Sequence, residues 1–157
     1  MKKRWFMTLV GGLMLTTPLV STPKTKAQSS SNCQHVSGHI DGMVSGFSET
    51  GTFFDEDGNR LGTFEAVITD FAQEGNGALK LQLMHTYRFD AGGTFTTSDN
   101  IVLSPIDPPV YGVNNRANVT GGTGVYQDAF GVINDHGVFN FQSGVVSVDY
   151  HGQICTP

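Results

Sequence analysis

The feature that most constrains the fold is a glycine-rich segment over residues 119–131, with the sequence Val-Thr-Gly-Gly-Thr-Gly-Val-Tyr-Gln-Asp-Ala-Phe-Gly. It interrupts a region that otherwise alternates between apolar and polar residues, as β-strands do. Glycine adopts positive φ values and lets one backbone approach another closely. Four glycines between strand-like segments therefore predict a tight corner whose path only small residues permit. The segment constrains the path of the chain and leaves its chemistry open.

The amino terminus has the features of a targeting segment. A basic start over residues 2–4 precedes an apolar stretch over residues 5–20, and Thr25-Lys26-Ala27 supplies the small residues of a cleavage site. The apolar stretch is short for a bilayer, which needs about 20 apolar residues, and no stop-transfer pattern follows it. We therefore predict a cleaved signal peptide over residues 1–27, in preference to a membrane anchor, and a secreted or periplasmic protein.

The remaining chain, about 130 residues, has the size of one domain. We assign residues 28–32 to a polar lead and residues 33–157 to a single domain. The chain after residue 27 contains four basic residues and all fourteen acidic residues, so its net charge is −10 with histidine neutral. An acidic surface disfavours binding to nucleic acids and anionic membranes, because lysine and arginine are needed to neutralise their phosphate groups.

The two cysteines, Cys33 and Cys155, bracket almost the whole mature chain. In an exported protein they are expected to form one disulfide, which would join the first strand to the last. A reactive thiol pair or a metal site is the alternative, but there is no Cys-x-x-Cys spacing and no Cys-His cluster. The pairing implies that the two ends of the domain meet, as the terminal strands of a closed barrel do.

Alternation with a period of two recurs through the domain and predicts antiparallel β-strands. The clearest runs are Thr63–Asp70, Leu79–Asp90, Val110–Val119 and Val145–Ile154. Turn signals separate about eight such strands at hairpin spacing, which is typical of a barrel or a sandwich. The predicted turns and loops are centred on Asp57-Gly58-Asn59, Gly75-Asn76-Gly77, Ala91-Gly92-Gly93, the prolines Pro105, Pro108 and Pro109, and Asp135-His136-Gly137.

The glycine-rich segment resembles the signature of the allene oxide cyclase and dirigent barrel superfamily. The pattern Val/Ile-Thr-Gly-Gly-x-Gly-x-Tyr/Phe-x-Gly-Ala-x-Gly is matched by Thr120, Gly121, Gly122, Gly124, Tyr126, Ala129 and Gly131. Asp128 departs from it, since the family usually has glycine there, although aspartate tolerates tight turns better than most residues. The strand, turn and strand over residues 132–154 also fit the family's carboxy-terminal layout.

The resemblance implies an all-β fold, an eight-stranded antiparallel barrel with an internal cavity. Relatives include isomerases that cyclise an unstable oxygenated fatty acid, proteins that steer phenoxy-radical coupling, and bacterial barrels that shape polyenes for cycloaddition. In each case a cavity holds a flexible substrate near its reactive conformer. The signature is a corner of the barrel, and the catalytic carboxylate of the plant cyclase has no identifiable equivalent in this sequence.

Polar residues on apolar strand faces are the candidates for a site, because burying them costs free energy unless they are paired. We predict catalytic roles for His85 as an acid or base and for Tyr87 as a hydrogen-bond donor. Tyr111, Asn115 and Tyr150 are predicted to bind substrate. Each of these residues could instead be a satisfied core residue, since tyrosine is common in strands for packing reasons alone.

The opposite strand faces offer a rival set. If polar residues faced inward, Glu65, Arg88, Arg116 and Asp149 would line the cavity, and the two arginines could anchor a carboxylate. A solvated strand face is the simpler interpretation. His35, His39, Asp41 and His151 could meet if the terminal strands pair, but we predict no metal site and no cofactor.

These features together predict an exported cyclase or isomerase that confines a small, mostly apolar, unsaturated or oxygenated molecule in a barrel cavity. One alternative is a barrel of the same fold that binds an apolar molecule without catalysis. Another is a disulfide-stabilised export domain with a filled core and no ligand, since small barrels can be packed solid. The partner in the first two cases is a small apolar molecule, and a homo-oligomer is possible.

Overall fold

The computed structural model describes residues 32–157, which form a closed eight-stranded antiparallel β-barrel in which each strand pairs with the next and the last with the first. The predicted all-β barrel is thereby confirmed. The predicted signal peptide and residues 28–31 lie outside the described residues. The strands are β1 (Asn32–Ser45), β2 (Ser48–Asp55), β3 (Arg60–Gln73), β4 (Leu79–Phe89), β5 (Thr94–Asp107), β6 (Val110–Thr123), β7 (Phe130–Asn140) and β8 (Val145–Thr156).

Local sequence fixes the hairpins that connect these strands. In the turn from β2 to β3, the Asp55 carboxylate accepts hydrogen bonds from the backbone N–H groups of Asp57 at 3.0 Å and Asn59 at 2.8 Å. Gly58 supplies the positive φ, 79°, that this turn needs. The predicted turns over residues 75–77 and 91–93 also join consecutive strands, so a simple up-and-down order follows.

The glycine-rich segment forms the predicted corner between β6 and β7, with a short 3-10 turn at Gly124–Tyr126. Gly131 has φ 148°, and a Cβ atom there would lie 2.0 Å from the carbonyl oxygen of Gln153 on β8. Asp128, the departure from the family pattern, has φ 56°. This left-handed backbone conformation explains why glycine is usual at that position, and aspartate is among the residues that best tolerate it.

One predicted turn is wrong, and one predicted loop is wrong in part. Asp135-His136-Gly137 lies inside β7. The glycine is needed there for close packing in the sheet and not for a turn, since a Cβ atom at Gly137 would lie 2.2 Å from the carbonyl oxygen of Ser147. Pro105 belongs to the end of β5, next to an irregularity in its pairing with β6, and only Pro108 and Pro109 lie in the connection. A proline is tolerated near a strand end, where few ladder hydrogen bonds remain to be lost.

The seam between β1 and β8 closes the barrel. Twelve residue pairs run from Asn32 opposite Thr156 to Met43 opposite Val145. Cys33 lies directly opposite Cys155, and the two form the predicted disulfide. Among residues 32–157, no helix has the length and apolar character that are needed to cross a membrane.

Candidate functional site

A layer of polar side chains crosses the middle of the barrel interior. Its members come from strands β2, β4, β5, β6 and β7, and each is less than 8% exposed. Buried polar groups of this kind are costly unless they bond to one another. We call this set the polar layer: Glu49, His85, Thr97, Asp99, Asn115 and Asp135.

His85 and Asp99 form the centre of the polar layer. The imidazole Nδ1 atom lies 3.1 Å from Asp99 Oδ2, within ion-pair distance. Burial acts to lower the pKa of His85, but the nearby carboxyls of Asp99 and Glu49 outweigh it, so that pKa lies above its usual value. Burial acts to raise the pKa of Asp99, but His85 and the donors Thr97 and Asn115 hold it below its usual value. Both shifts favour the imidazolium and carboxylate forms of the pair.

Asn115 connects two carboxyl groups in the layer. Its Nδ2 group donates hydrogen bonds to Asp99 Oδ2 and Asp135 Oδ2, both at 2.6 Å. The other Asp135 oxygen, Oδ1, is buried without a partner among the described residues. Burial raises the pKa of Asp135 to about 6, with the negative charge of Asp99 adding to the effect and Asn115 opposing it. Asp135 therefore changes its protonation near neutral pH.

The polar layer separates two apolar cavities, as the order of inward residues along each strand shows. On β4, Leu79, Leu81 and Leu83 line one cavity, His85 belongs to the layer, and residues 87 and 89 line the other. Strand β8 repeats this order, with Val146 on one side of the layer and Tyr150 on the other. Inward residues recur every second position, so the three levels follow directly from the sequence.

The larger cavity has a volume of about 460 Å³, within the usual range for binding sites of small molecules. We call it the tyrosine cavity. Aromatic rings form much of its wall and pack edge-on or stacked against one another. Its lining includes Ile40, Phe53, Leu61, Tyr87, Phe89, Phe95, Tyr126, Ile133, Tyr150 and Ile154.

The polar side chains in this apolar wall are Tyr87, Tyr126 and Tyr150, together with Asn32, Gln34 and Thr156 of the terminal strands. The Tyr150 hydroxyl donates a hydrogen bond to the carbonyl oxygen of Phe54 at 2.9 Å. Tyr87 stacks on His85 on one side and on Phe95 on the other, with ring centroids 5.4 Å and 4.6 Å apart. Burial raises the pKa of Tyr150 to about 12 and that of Tyr87 well above its usual value. Both phenols therefore stay protonated and act as hydrogen-bond donors.

The smaller cavity, about 280 Å³, lies on the other side of the polar layer. Leucine, isoleucine, valine and phenylalanine side chains line it, and Glu49 is the one polar side chain in its described wall. We call it the glutamate cavity. Burial raises the pKa of Glu49 above its usual value, while the neighbouring His85 opposes this rise.

The structure distributes the predicted site residues over several places. Tyr87 and Tyr150 line the tyrosine cavity, whereas His85 and Asn115 belong to the polar layer beneath it. Tyr111 is half-buried, packs on Phe141 with ring centroids 4.9 Å apart, and lines neither cavity.

The rival set of polar residues lies on the outside of the barrel. Arg88 and Glu65 are more than half exposed and form a salt bridge of 2.6 Å. Arg116 is also exposed. None of the three lines either cavity, so the inward face is the apolar one.

A Ser-His-Asp arrangement occurs on the outer surface where β1 meets β8. His39 Nδ1 lies 2.8 Å from Asp149 Oδ1, and His39 Nε2 lies 3.1 Å from Ser147 Oγ and 3.0 Å from Asp41 Oδ1. These side chains stand on a convex sheet whose backbone N–H groups are used in the β1–β8 ladder. An oxyanion hole needs free donors aimed at one point, so we assign this cluster no hydrolytic role. No group of metal-ligating side chains was found among residues 32–157.

Sequence reasoning missed four members of the polar layer. Thr97 and Asp99 lie on the same face of β5 as Phe95, Ile101 and Leu103, at every second position, and this pattern was a usable signal. Asp135 was assigned to a turn that does not exist, and Glu49 lies at the start of the shortest strand, where few residues establish a face.

No protein-family model and no curated protein matches the chain. Among solved structures, a pterocarpan synthase dirigent protein matches with a TM-score of 0.53 and 16% sequence identity, over 86% of this chain and 94% of that one. The fold is a dirigent-like barrel. The dirigent part of the predicted resemblance is therefore confirmed at the level of the fold. A likeness to allene oxide cyclases in particular is not shown.

The polar layer gives this dirigent-like barrel a pH-dependent stability. Because the pKa of Asp135 is higher in the folded protein, about 6, than its ordinary value of 3.8, the folded state binds the proton more tightly. This contribution is complete below about pH 4 and is lost as the pH rises through 6, and it amounts to about 3 kcal/mol. The raised pKa values of Glu49 and His85 act in the same direction.

We therefore expect the free energy of unfolding to fall between pH 4 and pH 7, and to fall less in an Asp135→Asn variant. Urea unfolding curves across this pH range measure the difference. Asp107→Asn, an exposed substitution on β5, is the control. An identical pH slope in the wild type and in Asp135→Asn would show that Asp135 does not titrate in this window.

Proposed function

We propose that the protein is a cyclase or isomerase that binds a small, mostly apolar, unsaturated or oxygenated molecule in the tyrosine cavity and directs its ring closure. The observation that carries this proposal is a cavity of about 460 Å³, walled by packed aromatic rings and set inside a closed barrel. A rigid apolar enclosure limits the conformers that a flexible substrate can adopt, which favours one reaction geometry.

Tyr87 is the group best placed to assist the chemistry. Its phenol lies in the cavity wall and stays protonated, so it can donate a hydrogen bond to a carbonyl, epoxide or phenolic oxygen on which negative charge develops. His85 lies behind Tyr87 in the polar layer, with stacked rings, and does not line the cavity. We therefore assign His85 a positioning role, holding the Tyr87 ring in place.

Two further observations support the proposal. The similar dirigent protein is by name a pterocarpan synthase, so the same fold is associated with the synthesis of a ring compound. The Cys33–Cys155 disulfide is typical of oxidising compartments, which agrees with the export predicted from residues 1–27.

The test is stereochemical. The purified protein is incubated with unsaturated epoxides and polyenes, and chiral chromatography measures the enantiomeric ratio of the cyclic products. We expect one enantiomer to dominate in the presence of the protein. Tyr87→Phe should lower the rate of its formation about 10²- to 10³-fold, as removal of one transition-state donor does.

Tyr111→Phe is the matched control, because it removes the hydroxyl of a tyrosine that lines neither cavity. Identical enantiomeric ratios with and without protein would contradict the proposal.

The second candidate function is non-catalytic binding of an apolar molecule. The observation that favours it is that His85 and the carboxyls of the polar layer do not line the tyrosine cavity. The main polar side chains of the cavity wall next to the layer are therefore phenol hydroxyls. Tyr87→Phe would then weaken ligand binding, measured by calorimetry, with no turnover to lose.

A further inference from the structure

Glu49 presents an unsatisfied carboxyl group to the glutamate cavity. The residue is only 6% exposed, lies at the start of β2 and lines the cavity. It makes no side-chain hydrogen bond with the described residues, and its nearest charged partner is His85 Nε2, 4.0 Å from Glu49 Oε2. Buried polar groups in folded proteins are nearly always hydrogen-bonded. The described residues supply no hydrogen-bond partner for this carboxyl, so we look for one outside them.

Water is a poor candidate for that partner. A buried water molecule typically makes two to four hydrogen bonds with polar groups of the protein. The other side chains of the described cavity wall are apolar, including Leu83, Ile101, Leu103 and Val113. Apart from His85 Nε2, a water molecule bound to Glu49 would therefore face hydrocarbon on its remaining sides. A ligand with one polar group and an apolar body matches this surface better.

We propose that the glutamate cavity is a second binding site, which takes a small aliphatic alcohol whose hydroxyl group pairs with the Glu49 carboxyl. A protonated carboxyl offers one donor and one free acceptor, and a hydroxyl group offers the same two functions. The ligand oxygen accepts the carboxyl proton while the ligand O–H donates to the carbonyl oxygen, so both partners are satisfied. Burial raises the pKa of Glu49 and so favours this protonated form, while the neighbouring His85 opposes it.

Size and access narrow the ligand further. The volume of about 280 Å³ lies just below the usual range for drug-sized ligands, about 300–1,000 Å³, so a single short alkyl chain suits it. Phe47 and Phe71 belong to the lining and are 63% and 59% exposed, so the cavity reaches the surface between them. The polar layer lies between this cavity and the tyrosine cavity, so the two ligands would occupy separate spaces.

The experiment titrates the protein with 1-octanol and follows its methyl groups by NMR. We expect saturable binding, with the largest shifts at Ile68, Leu83 and Leu103, which line the glutamate cavity. Ile133 and Ile154 line the tyrosine cavity and should shift little. Glu49→Leu should weaken 1-octanol binding about ten- to a hundredfold, since it removes both hydrogen bonds of the ligand. Glu65→Leu, which replaces an exposed glutamate on the outer surface, should have no effect.

Octane and octylamine separate the contributions of the apolar body and the hydroxyl group. Octane should bind more weakly than 1-octanol to the wild type. Octane should bind to Glu49→Leu at least as tightly as it binds to the wild type, and this result would also show that the variant is folded with its cavity intact. Any one of four results would overturn the proposal. The first two are the absence of saturable 1-octanol binding and an equal affinity of 1-octanol for the wild type and Glu49→Leu. The other two are shifts confined to the tyrosine cavity and binding of octylamine that is tighter than that of 1-octanol. None of these results bears on the stereochemical test of Tyr87.

Discussion

Replacing Asn115 with alanine is expected to lower the free energy of unfolding by about 3–5 kcal/mol. The side-chain amide donates two hydrogen bonds of 2.6 Å, to Asp99 and Asp135. Hydrogen bonds to charged groups contribute about 1.5–3 kcal/mol each, and the carboxyls left behind are buried without a shared donor. Asp99 is 1% exposed and Asp135 is 7% exposed, so water cannot readily replace the amide.

Urea unfolding at pH 7 measures this change, with Asn114→Ala as the control. Asn114 is the preceding residue on β6 and points outward to solvent. A double variant, Asn115→Ala with Asp135→Ala, should regain part of the loss, because one of the two unsatisfied carboxyls is then absent. If Asn115→Ala proved as stable as Asn114→Ala, the polar layer would not depend on this amide.

Removing the disulfide should destabilise the barrel by a similar amount, about 4–5 kcal/mol. Cys33 and Cys155 are 122 residues apart in the sequence, and in the chain-entropy model a cross-link over about 100 residues removes that much free energy from the unfolded state. The β1–β8 ladder pairs twelve residues along the seam, and the bridge joins only one of these pairs. We therefore expect a variant with Cys33→Ala and Cys155→Ala to keep the native fold and to unfold at lower urea concentration.

Circular dichroism checks the fold of this variant, and urea titration gives its stability. Reduction of the wild type with dithiothreitol should reproduce the effect, whereas the variant should not respond to the reductant. Unchanged stability after reduction would mean that the unfolded chain is already compact near its ends.

The fold was largely predictable because alternation and turn chemistry agree along most of the chain. Leu79 to Phe89 alternates without interruption, and every inward residue expected there faces the interior. The disulfide followed from the positions of two cysteines. The turn at Asp135-His136-Gly137 was wrong because aspartate and glycine are also tolerated inside a strand when the neighbouring strand lies close to the backbone.

The site was only partly predictable, for a related reason. Tyr87 and Tyr150 were found because a tyrosine on an apolar strand face keeps the alternation intact. Asp99 and Asp135 were missed because a carboxylate in that position resembles a solvated residue until its partners are known. Their burial depends on Asn115 and His85, which lie 14–20 residues away in the sequence and meet them only in the closed sheet. No local pattern carries that information.

The closure of the sheet also limits how this protein can associate with others. Each strand in residues 32–157 has two neighbours, so a free row of backbone donors and acceptors remains only where a strand extends past its neighbour, as residues 32–37 of β1 extend past the pairing with β2. Strand addition, a common route to fibres and to peptide capture, is therefore limited in the folded domain to these overhangs. Most of the surface available to a homo-oligomer consists of outward side chains, which include exposed apolar residues such as Met84 and Val67 and salt-bridged charges.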